Sequence, residues 1–492
     1  MGIEISKTQF SDEDFRRFSD RLELQLDALG DCLERPGFGV GSPSLGSELE
    51  LYIVDNEGRA LHCNEALREA AADPQLTLEL NRYNLEYNLS PYGLADGGLR
   101  ATEEEIVSKL AGLAVVAAER GAHIVPIGIL PTLTGDDFGE HCITERQRYY
   151  ALVQQLLKWR GNAFRIDING SEPLQLAMTD ITLEGANTSF QVHLRVDPDV
   201  YVDTFNALQM TTPLALAMSA NSPGLFGHQL WEETRIPLFK QAIDTRHPDR
   251  YHWSAPARVS FGHGWIRRSP LELFRETVCL YPPLLPVCDP ASDAVRGVPP
   301  DLAELRLHQS TVWPWNRPVY DDADGGHLRM EARANPAGPT AHDMVAGAAL
   351  TIGLAVGLRD EMQALLPALP FHLAEYNFYR AAQFGLDARL VWPDPRQRGL
   401  QERPLPDILR ELLPVADSGL ASLGVSREER DRYLASIDTR LSRKLNGARW
   451  QRACLEKLSS RGVDKRLALA GVLERYRELS AANLPLAQWP AS

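Results

Sequence analysis

Four short segments of the chain alternate apolar and polar residues with a period of two, which is typical of β-strands whose side chains point to opposite faces of a sheet. They are GSELELYIVD from Gly46, NLEYNLSP from Asn84, TSFQVHLRVD from Thr188 and GHLRMEAR from Gly326. Their polar positions hold mainly Glu, Gln, His, Asn and Arg rather than the Lys, Thr and Ser of an ordinary solvated sheet face. The four segments therefore predict a sheet with one apolar face and one face equipped for chemistry.

The polar face combines carboxylates, an imidazole and guanidinium groups. Its side chains are Glu48 and Glu50 in the first segment, Asn84, Glu86 and Asn88 in the second, Ser189, Gln191, His193 and Arg195 in the third, and His327, Arg329, Glu331 and Arg333 in the fourth. Carboxylates and a histidine can bind divalent cations such as Mg²⁺ or Mn²⁺, and guanidinium groups bind phosphate or carboxylate. Each segment alone is more often a solvated face, a structural histidine or a salt-bridge ladder. The four together favour metal and phosphate chemistry.

The composition narrows the possible partners. Among 492 residues, 51 Lys and Arg stand against 66 Asp and Glu, which gives a net charge of −15. This acidic balance argues against nucleic acids and anionic membranes as partners, because both require a basic face. The six cysteines form no CxxC pair, which argues against a zinc site or a disulfide framework and fits a reducing cytoplasm. The longest uncharged apolar run, residues 344–358, is shorter than the roughly 20 residues of a membrane span and predicts a buried helix.

Helical periodicity and turn residues predict further elements around the four strands. An amphipathic helix is predicted from its N-cap, Ser11, to Leu33. Further helices are predicted at residues 103–120, 145–159, 200–219, 406–413, 427–441 and 465–479. Further strands are predicted at residues 123–130, 164–168 and 258–261, a hairpin at residues 180–184 with 188–196, a loop at 289–300 and a linker at 393–406.

This order of strands and helices lacks the regular alternation of a parallel α/β fold. It predicts an α+β fold that is built on a mainly antiparallel sheet and has a helical C-terminal third. The chain contains no P-loop GxxxxGK[ST] and no HExxH, and the glycines near residue 40 do not match a dinucleotide-binding fingerprint.

The alternating segments and their surroundings resemble the glutamate–cysteine ligase family, which comprises GCS2-type carboxylate–amine ligases with a glutamine-synthetase-like catalytic fold. The resemblance also draws on SANSPGLFG from Ser219, ETRIPLF from Glu233, HLRMEARANPAGPT from His327 and AEYNFYRAAQFGLDARL from Ala374. It implies a mainly antiparallel, curved sheet that forms an active-site funnel and is flanked by helices. We expect residues 1–360 to form the catalytic α+β ligase domain and residues 361–492 a helical C-terminal region packed on it.

The resemblance also implies a reaction. ATP and Mg²⁺ (or Mn²⁺) bind in the funnel, the γ-phosphate passes to a substrate carboxylate, and an amine attacks the resulting acyl phosphate to form an amide. The expected partners are small molecules, namely a carboxylate for which glutamate is the candidate, and an amine. No residue identifies the amine, so cysteine is one candidate among several, and the oligomeric state is open.

Site residues follow from the resemblance, motif by motif. The implied metal ligands are Glu48, Glu50, Glu86, His193 and Glu331. Gln191 and Arg333 are implied to contact the nucleotide, and Arg329 and Arg333 to neutralise the phosphoryl group or to hold a substrate carboxylate. Arg235 is a candidate clamp for that carboxylate, with a purely structural role as the alternative. Contributions from Glu184, Asn377 and Arg380 stay open.

Two other functions are compatible with the same residues. A phosphotransferase of the guanidino-kinase kind would use metals and arginines on a related sheet, and would give a stable phosphorylated product without an amide. A non-catalytic homologue would bind ATP without turnover. The large set of acidic ligands favours the ligase over both.

Overall fold

The chain folds around one large antiparallel sheet. The computed structural model describes Ile5, residues 7–246, Trp253, residues 255–288, Val295 and residues 298–394 and 399–490. The strands are β1 (Ser44–Val54), β2 (Leu76–Leu78), β3 (Asn84–Asn88), β4 (Tyr92–Gly93), β5 (His123–Val125), β6 (Phe164–Ile168), β7 (Leu174–Met178), β8 (Phe190–Arg195), β9 (Gly224–Leu225), β10 (His228–Gln229), β11 (Val259–Ser260), β12 (Trp313–Pro314), β13 (Asn316–Asp321), β14 (His327–Ala332), β15 (Arg389–Pro393) and β16 (Leu400–Pro404).

Helices cover the sheet and make up most of the C-terminal part. They are α1 (Asp12–Leu33), α2 (Asn64–Ala71), α3 (Gly98–Ala118), α4 (Gln147–Arg160), α5 (Pro198–Ser219), α6 (Arg235–Ala242), α7 (Leu271–Leu280), α8 (Ala303–Gln309), α9 (Ala341–Leu358), α10 (Met362–Ala368), α11 (Phe371–Phe384), α12 (Leu405–Ser422), α13 (Arg427–Ser442), α14 (Gly447–Ser460) and α15 (Lys465–Ala481). The N-cap prediction for the first helix is confirmed, because the Ser11 hydroxyl accepts a hydrogen bond from the Asp14 backbone N–H.

The central sheet contains all four of the alternating segments. Its strand order is β13–β14–β8–β1–β3–β2, and β4 and β5 also pair with β1. Each of these pairings is antiparallel. On β1 the apolar positions Leu49, Leu51 and Ile53 are 1% exposed or less, whereas the alternate positions face the opposite side. The predicted mainly antiparallel sheet with one apolar and one polar face is therefore confirmed.

Two long apolar helices, α5 and α9, form the core behind the sheet. Nearly every residue of α9 is buried, and it packs against α5 and α12. Among the described residues, one helical stretch, Ala341–Ala368, is long and apolar enough to cross a membrane, but 94% of its apolar window is buried inside the protein. The prediction of a buried core helix at residues 344–358 is confirmed.

The predicted hairpin of residues 180–184 with 188–196 is wrong. Residues Thr182–Ala186 form a 3₁₀ turn, which the Asn187 side chain closes by donating to the Leu183 carbonyl at 3.1 Å and the Glu184 carbonyl at 2.9 Å. Strand β8 pairs instead with β1 and β14. The hairpin in this part of the chain joins β6 and β7, of which the sequence predicted only β6.

Other predicted elements have different bounds, and the helix predicted at residues 406–413 extends to Ser422 as α12. The strand predicted at residues 123–130 ends at Val125, because Pro126 cannot donate to a strand ladder. The helix predicted from Glu103 begins at Gly98. The linker predicted at residues 393–406 contains β16, which pairs with β15, while residues 395–398 and most of the loop predicted at 289–300 lie outside the described residues.

Candidate active site

The strand register brings the five predicted metal ligands to one face of the central sheet. Glu50 of β1 lies opposite Glu86 of β3, and Glu331 of β14 lies opposite His193 of β8. Glu48 precedes Glu50 by two residues and so projects to the same side. Side chains that are up to 283 positions apart in the sequence thus converge on one surface.

Three of these side chains form a cluster with the spacing of a metal site. Ligand atoms of Glu48, His193 and Glu331 all lie within 4.8 Å of one another. The Nε2 atom of His193 is 3.4 Å from a Glu48 carboxylate oxygen, and it is buried and makes no hydrogen bond. A buried nitrogen without a partner, facing two carboxylates, fits a divalent cation with mixed oxygen and nitrogen ligands such as Mg²⁺ or Mn²⁺.

Glu331 is held between two arginines. Its carboxylate accepts from Arg317 Nε at 2.6 Å and also from Arg333 Nη1. Burial by itself would raise the pKa of Glu331, but the charges of Arg317 and Arg333, followed by that of His193, lower this pKa to about 2. The carboxylate is therefore ionised at neutral pH.

Glu48 and Glu50 differ in their surroundings although they are neighbours on β1. Burial would raise the pKa of Glu48, but the adjacent His193 holds that pKa below its ordinary range. Burial does raise the pKa of Glu50, although Arg235 and Arg333 partly offset this effect. The Glu50 carboxylate accepts from the Ser189 backbone N–H at 2.7 Å and from Gln191 Nε2 at 3.1 Å, and these bonds fix its orientation.

A group of further carboxyls lies beyond Glu50. Burial, and then the negative charges of neighbouring carboxylates, raises the pKa of Glu86 to about 8. Burial and the charge of Glu50 likewise raise the pKa of Glu184 to about 8, although Arg333 acts in the opposite direction. The pKa of Glu79 is raised well above its ordinary value by burial and by Glu86. Carboxyls this crowded repel one another unless protons or cations neutralise them.

Two cavities share Glu48 of the Glu48–His193–Glu331 cluster. The first cavity has a volume of about 470 Å³, and its lining includes His193, Arg195, His327 and Arg329. The second has a volume of about 430 Å³, and its lining includes Glu50, Glu79, Glu86, Glu184, Gln191 and Arg333. Glu48 and Arg317 line both cavities. Glu48 therefore lies where a ligand in one cavity and a ligand in the other can approach the same carboxylate.

The predicted arginines occupy three different positions. Arg333 lines the second cavity and donates from Nη1 to Gln191 Oε1 at 2.5 Å as well as to Glu331. Arg329 lines the first cavity, where its Nη2 pairs with Asp321 at 3.2 Å. Arg235 is 2% exposed, and its Nη1 donates to Glu233 at 3.0 Å and to the Ala334 carbonyl at 3.1 Å. The structure therefore brings Arg329 and Arg333 to the cavities, while Arg235 lines neither.

The three residues whose contribution to the site was left open, Glu184, Asn377 and Arg380, lie in different surroundings. Glu184 lines the second cavity. Asn377 exchanges two hydrogen bonds of 2.8 Å with the backbone of Val391, which ties α11 to β15. The guanidinium of Arg380 lies 4.2 Å from the centre of the Phe384 ring. Only Glu184 joins the site.

Two residues at the site were not predicted. Arg317 lies on β13, where Pro318 argues against a strand, but β13 is an edge strand and an edge tolerates proline. Glu79 follows β2, and its alternation with Thr77 was the available signal. Both patterns span too few residues to distinguish a strand from a loop.

Comparisons with known proteins agree with these features. Residues 44–261 match the family model described as "Glutamate-cysteine ligase family 2(GCS2)". A protein of Thermobifida fusca named "Putative glutamate–cysteine ligase 2" is 23% identical over 389 residues, which cover 76% of this chain and 79% of that protein. A protein of Frankia alni named "Putative glutamate–cysteine ligase 2-1" is 25% identical over 391 residues, covering 76% of this chain and 83% of that protein.

A solved structure shares the fold. The glutamate–cysteine ligase of Francisella tularensis, crystallised in complex with AMP, superposes with a TM-score of 0.53 and covers 92% of this chain and 96% of its own, at 11% identity. The predicted fold class, a mainly antiparallel curved sheet flanked by helices, is confirmed. The family resemblance predicted from the motifs is confirmed as well: residues 44–261, which hold four of the five predicted metal ligands, carry the sequence pattern of glutamate–cysteine ligase family 2.

Proposed function

We propose that this protein is an ATP-dependent carboxylate–amine ligase that joins glutamate to an amine through an acyl phosphate, in the manner of a glutamate–cysteine ligase. The observation that carries this proposal is the Glu48–His193–Glu331 cluster, whose Glu48 lines both cavities. Its ligand atoms lie within 4.8 Å of one another, which suits a cation beside a transferred phosphate. The family match over residues 44–261 supports the same class of reaction.

The two cavities suit two different ligands. The lining of the first includes Phe274, Leu305 and Tyr320 together with Arg329, which suits the base and the phosphates of a nucleotide. The second has Arg333 beside Gln191 and a group of carboxyls, which suits a substrate carboxylate next to a cationic amine. The γ-phosphate and the acceptor carboxylate then meet at the cluster.

The residues of the chain have separable tasks in the first step. A substrate carboxylate oxygen attacks the γ-phosphorus, the bond to the β-phosphate oxygen breaks, and ADP leaves. A divalent cation bound by Glu48, His193 and Glu331 would neutralise phosphate charge. Arg333 holds the acceptor carboxylate, and Arg317 and Arg333 keep Glu331 ionised. The rate enhancement comes from positioning the two substrates and neutralising the phosphate charge, so no protein nucleophile is required.

The second step needs a proton acceptor. The amine attacks the acyl carbon, phosphate leaves, and the ammonium nitrogen must lose a proton. Glu184 lines the second cavity, and its pKa is raised to about 8 by burial and by the charge of Glu50. A carboxyl with such a pKa exchanges protons near neutral pH, so Glu184 acts as the general base.

The proposal includes an arrangement of the chain and a location. Residues 1–360 form the catalytic domain, residues 361–492 form the region packed on it, and the protein acts in the cytoplasm. Helix α12 of the second region packs along α9 of the first, which supports a functional unit built from both.

A ligation assay tests the proposed function. The protein is incubated with ATP, Mg²⁺, glutamate and a panel of amines, and the products are identified by mass. We expect an amide and amine-dependent release of phosphate, and we expect Glu48→Gln to abolish both. Glu57→Gln is the matched control, because Glu57 is 68% exposed and lies outside the site. No amine-dependent phosphate release across a broad panel would refute the ligase, and a stable phosphorylated product would indicate a phosphotransferase.

A further inference from the structure

Two arginines face each other in the first cavity. Arg195 of β8 is directly paired in register with Arg329 of β14, and both side chains line the cavity. Like charges directly opposite one another destabilise an antiparallel pair. An anion bound between or beside the two guanidinium groups would offset their repulsion.

The two arginines have little compensation from the protein. Arg329 has one ion pair, to Asp321 at 3.2 Å. The side chain of Arg195 makes no hydrogen bond or ion pair with any residue in the described part of the chain. The Nε atoms of both arginines are buried and lack hydrogen-bond partners. Buried donors without acceptors cost stability, so an acceptor from a ligand is the missing component.

The surrounding backbone leaves room for this pair. Gly41 lies against the guanidinium of Arg195, and a Cβ at this position would collide with it. The carboxylate of Asp197 accepts a hydrogen bond from the Gly41 backbone N–H at 3.0 Å. His327 also lines this cavity, and the acidic residues in the lining are Asp321, Asp324 and Glu48, of which Glu48 belongs to the metal cluster.

The rest of the cavity defines which anion fits. Glu48 and His193, which also line this cavity, belong to the metal cluster. Phe274 and Leu305 provide an apolar wall at the same cavity. A ligand that has an extended chain of negative charges, a planar apolar group and affinity for divalent cations matches all three features. A nucleoside di- or triphosphate has this chemistry.

We propose that Arg195 and Arg329 together bind the phosphate chain of a nucleoside di- or triphosphate, with Arg195 as a binding residue in addition to those implied by the family resemblance. This inference deepens the proposed function, because it specifies how the nucleotide of the ligase is held. Its test does not require turnover, since phosphate-chain binding can be measured in the absence of acid and amine.

Calorimetric titration of the full-length protein with inorganic tripolyphosphate, and separately with ATP, tests the proposal. Loss of one charge-assisted contact weakens binding on the order of 10- to 100-fold. We expect Arg195→Gln to weaken tripolyphosphate binding to this extent and Arg195→Lys to restore part of it. Arg59→Gln is the matched control, because Arg59 lines neither cavity, is 59% exposed and is paired with Asp55 at 2.8 Å. Binding by Arg195→Gln that equals the wild type, or equal losses in Arg195→Gln and Arg59→Gln, would overturn the proposal.

Thermal unfolding separates this role from a structural one. Removal of Arg195 relieves the repulsion with Arg329, so the ligand-free Arg195→Gln protein should melt at or above the wild-type temperature. A clear decrease would show that Arg195 stabilises the fold and would overturn the proposal. The ligase proposal can fail independently of this one. If Arg195→Gln weakens tripolyphosphate binding but the wild-type protein forms no amide, only the ligase proposal is refuted. If the Arg195→Gln protein forms the amide with an unchanged KM for ATP, only the phosphate-binding role of Arg195 is refuted.

Discussion

At the scale of single residues, Glu48 and Glu331 belong to one cluster but depend on the fold to different extents. Glu331 is fully buried and holds Arg317 and Arg333, whereas Glu48 is 15% exposed and contacts His193 at 3.4 Å. Removal of one partner from a buried ion pair leaves an uncompensated charge, which costs about 3–5 kcal/mol. The two carboxylates should therefore respond differently to the same substitution.

We predict that Glu331→Gln lowers the free energy of unfolding by about 3 kcal/mol as well as abolishing turnover, because two guanidinium groups lose their carboxylate. Glu48→Gln should abolish turnover with a smaller loss of unfolding free energy, because Glu48 has one charged neighbour, His193, whereas Glu331 holds two guanidinium groups. Urea unfolding and the ligation assay on both variants check the difference. Equal stability losses in the two variants would contradict it.

For Arg235 the structure favours a structural role over the predicted role as a carboxylate clamp. Its guanidinium binds the fully buried Glu233 and the Ala334 carbonyl. We predict that Arg235→Gln lowers the free energy of unfolding by about 3–5 kcal/mol, because it breaks a buried ion pair. Urea unfolding measures this loss. Wild-type stability together with a raised KM for the acid substrate would instead identify Arg235 as the predicted carboxylate clamp.

At the scale of elements, the period-two pattern predicted the strands that carry the site, and it failed where an element lacked that pattern. The segments around Glu48 and His193 form β1 and β8 because each buries an alternate set of apolar side chains. Strand β13 was missed because Pro318 interrupts its pattern. The hairpin predicted at residues 180–184 with 188–196 is replaced by the 3₁₀ turn Thr182–Ala186. Local turn signals cannot specify which distant strand becomes the partner.

The contact between α9 and α12 depends on glycines that have no sequence signature of their own. A Cβ at Gly419 of α12 would collide with the Gly353 carbonyl and with the backbone of Gly357, both on α9. We predict that Gly419→Ala lowers the free energy of unfolding by about 1–3 kcal/mol, because overpacking forces the two helices apart. Thermal or urea unfolding measures this effect.

The matched control is another helical glycine in open surroundings. Gly112 lies within α3, is exposed, and has no atom within 4 Å of the position of an added Cβ. Gly112→Ala should raise the free energy of unfolding by about 0.5–1 kcal/mol, because alanine restricts the unfolded chain and favours helix. If both substitutions stabilise the protein, the backbone contact between α9 and α12 is not tight.

At the scale of the whole molecule, the sequence predicted the composition of the site better than its boundaries. Glu48, His193 and Glu331 were placed on one face by their strand periodicity, and antiparallel pairing brings them within 4.8 Å. Glu79 and Arg317 enter the same site from segments without a long pattern, through the register of β2 and β13 at the two sides of the sheet. Register is decided by the packing of the complete sheet, so a local pattern does not contain it.

The acidic group in the second cavity links the stability of the whole protein to pH. The pKa values of Glu86 and Glu184 are raised to about 8, mainly by burial. In the unfolded chain these carboxyls titrate near pH 4.5, so between pH 4.5 and 8 the folded protein retains protons that the unfolded chain releases. Stability therefore falls as pH rises through this window. Histidines with a lowered pKa, such as His308 at about 4, act in the opposite sense only below about pH 6.5.

We predict that the metal-free protein loses stability between pH 6.5 and pH 8, by up to about 1.4 kcal/mol per pH unit for each carboxyl that stays protonated. Urea unfolding at constant ionic strength measures the slope. Glu184→Gln should reduce this slope, because glutamine does not titrate, whereas the exposed control Glu57→Gln should leave it unchanged. Mg²⁺ or Mn²⁺ should stabilise the protein more at pH 8 than at pH 6.5, because metal binding requires ionised carboxylates. A slope that is flat in the wild type and unaffected by Glu184→Gln would show that the second cavity holds its carboxyls in the ionised form already, without protons or cations to neutralise them.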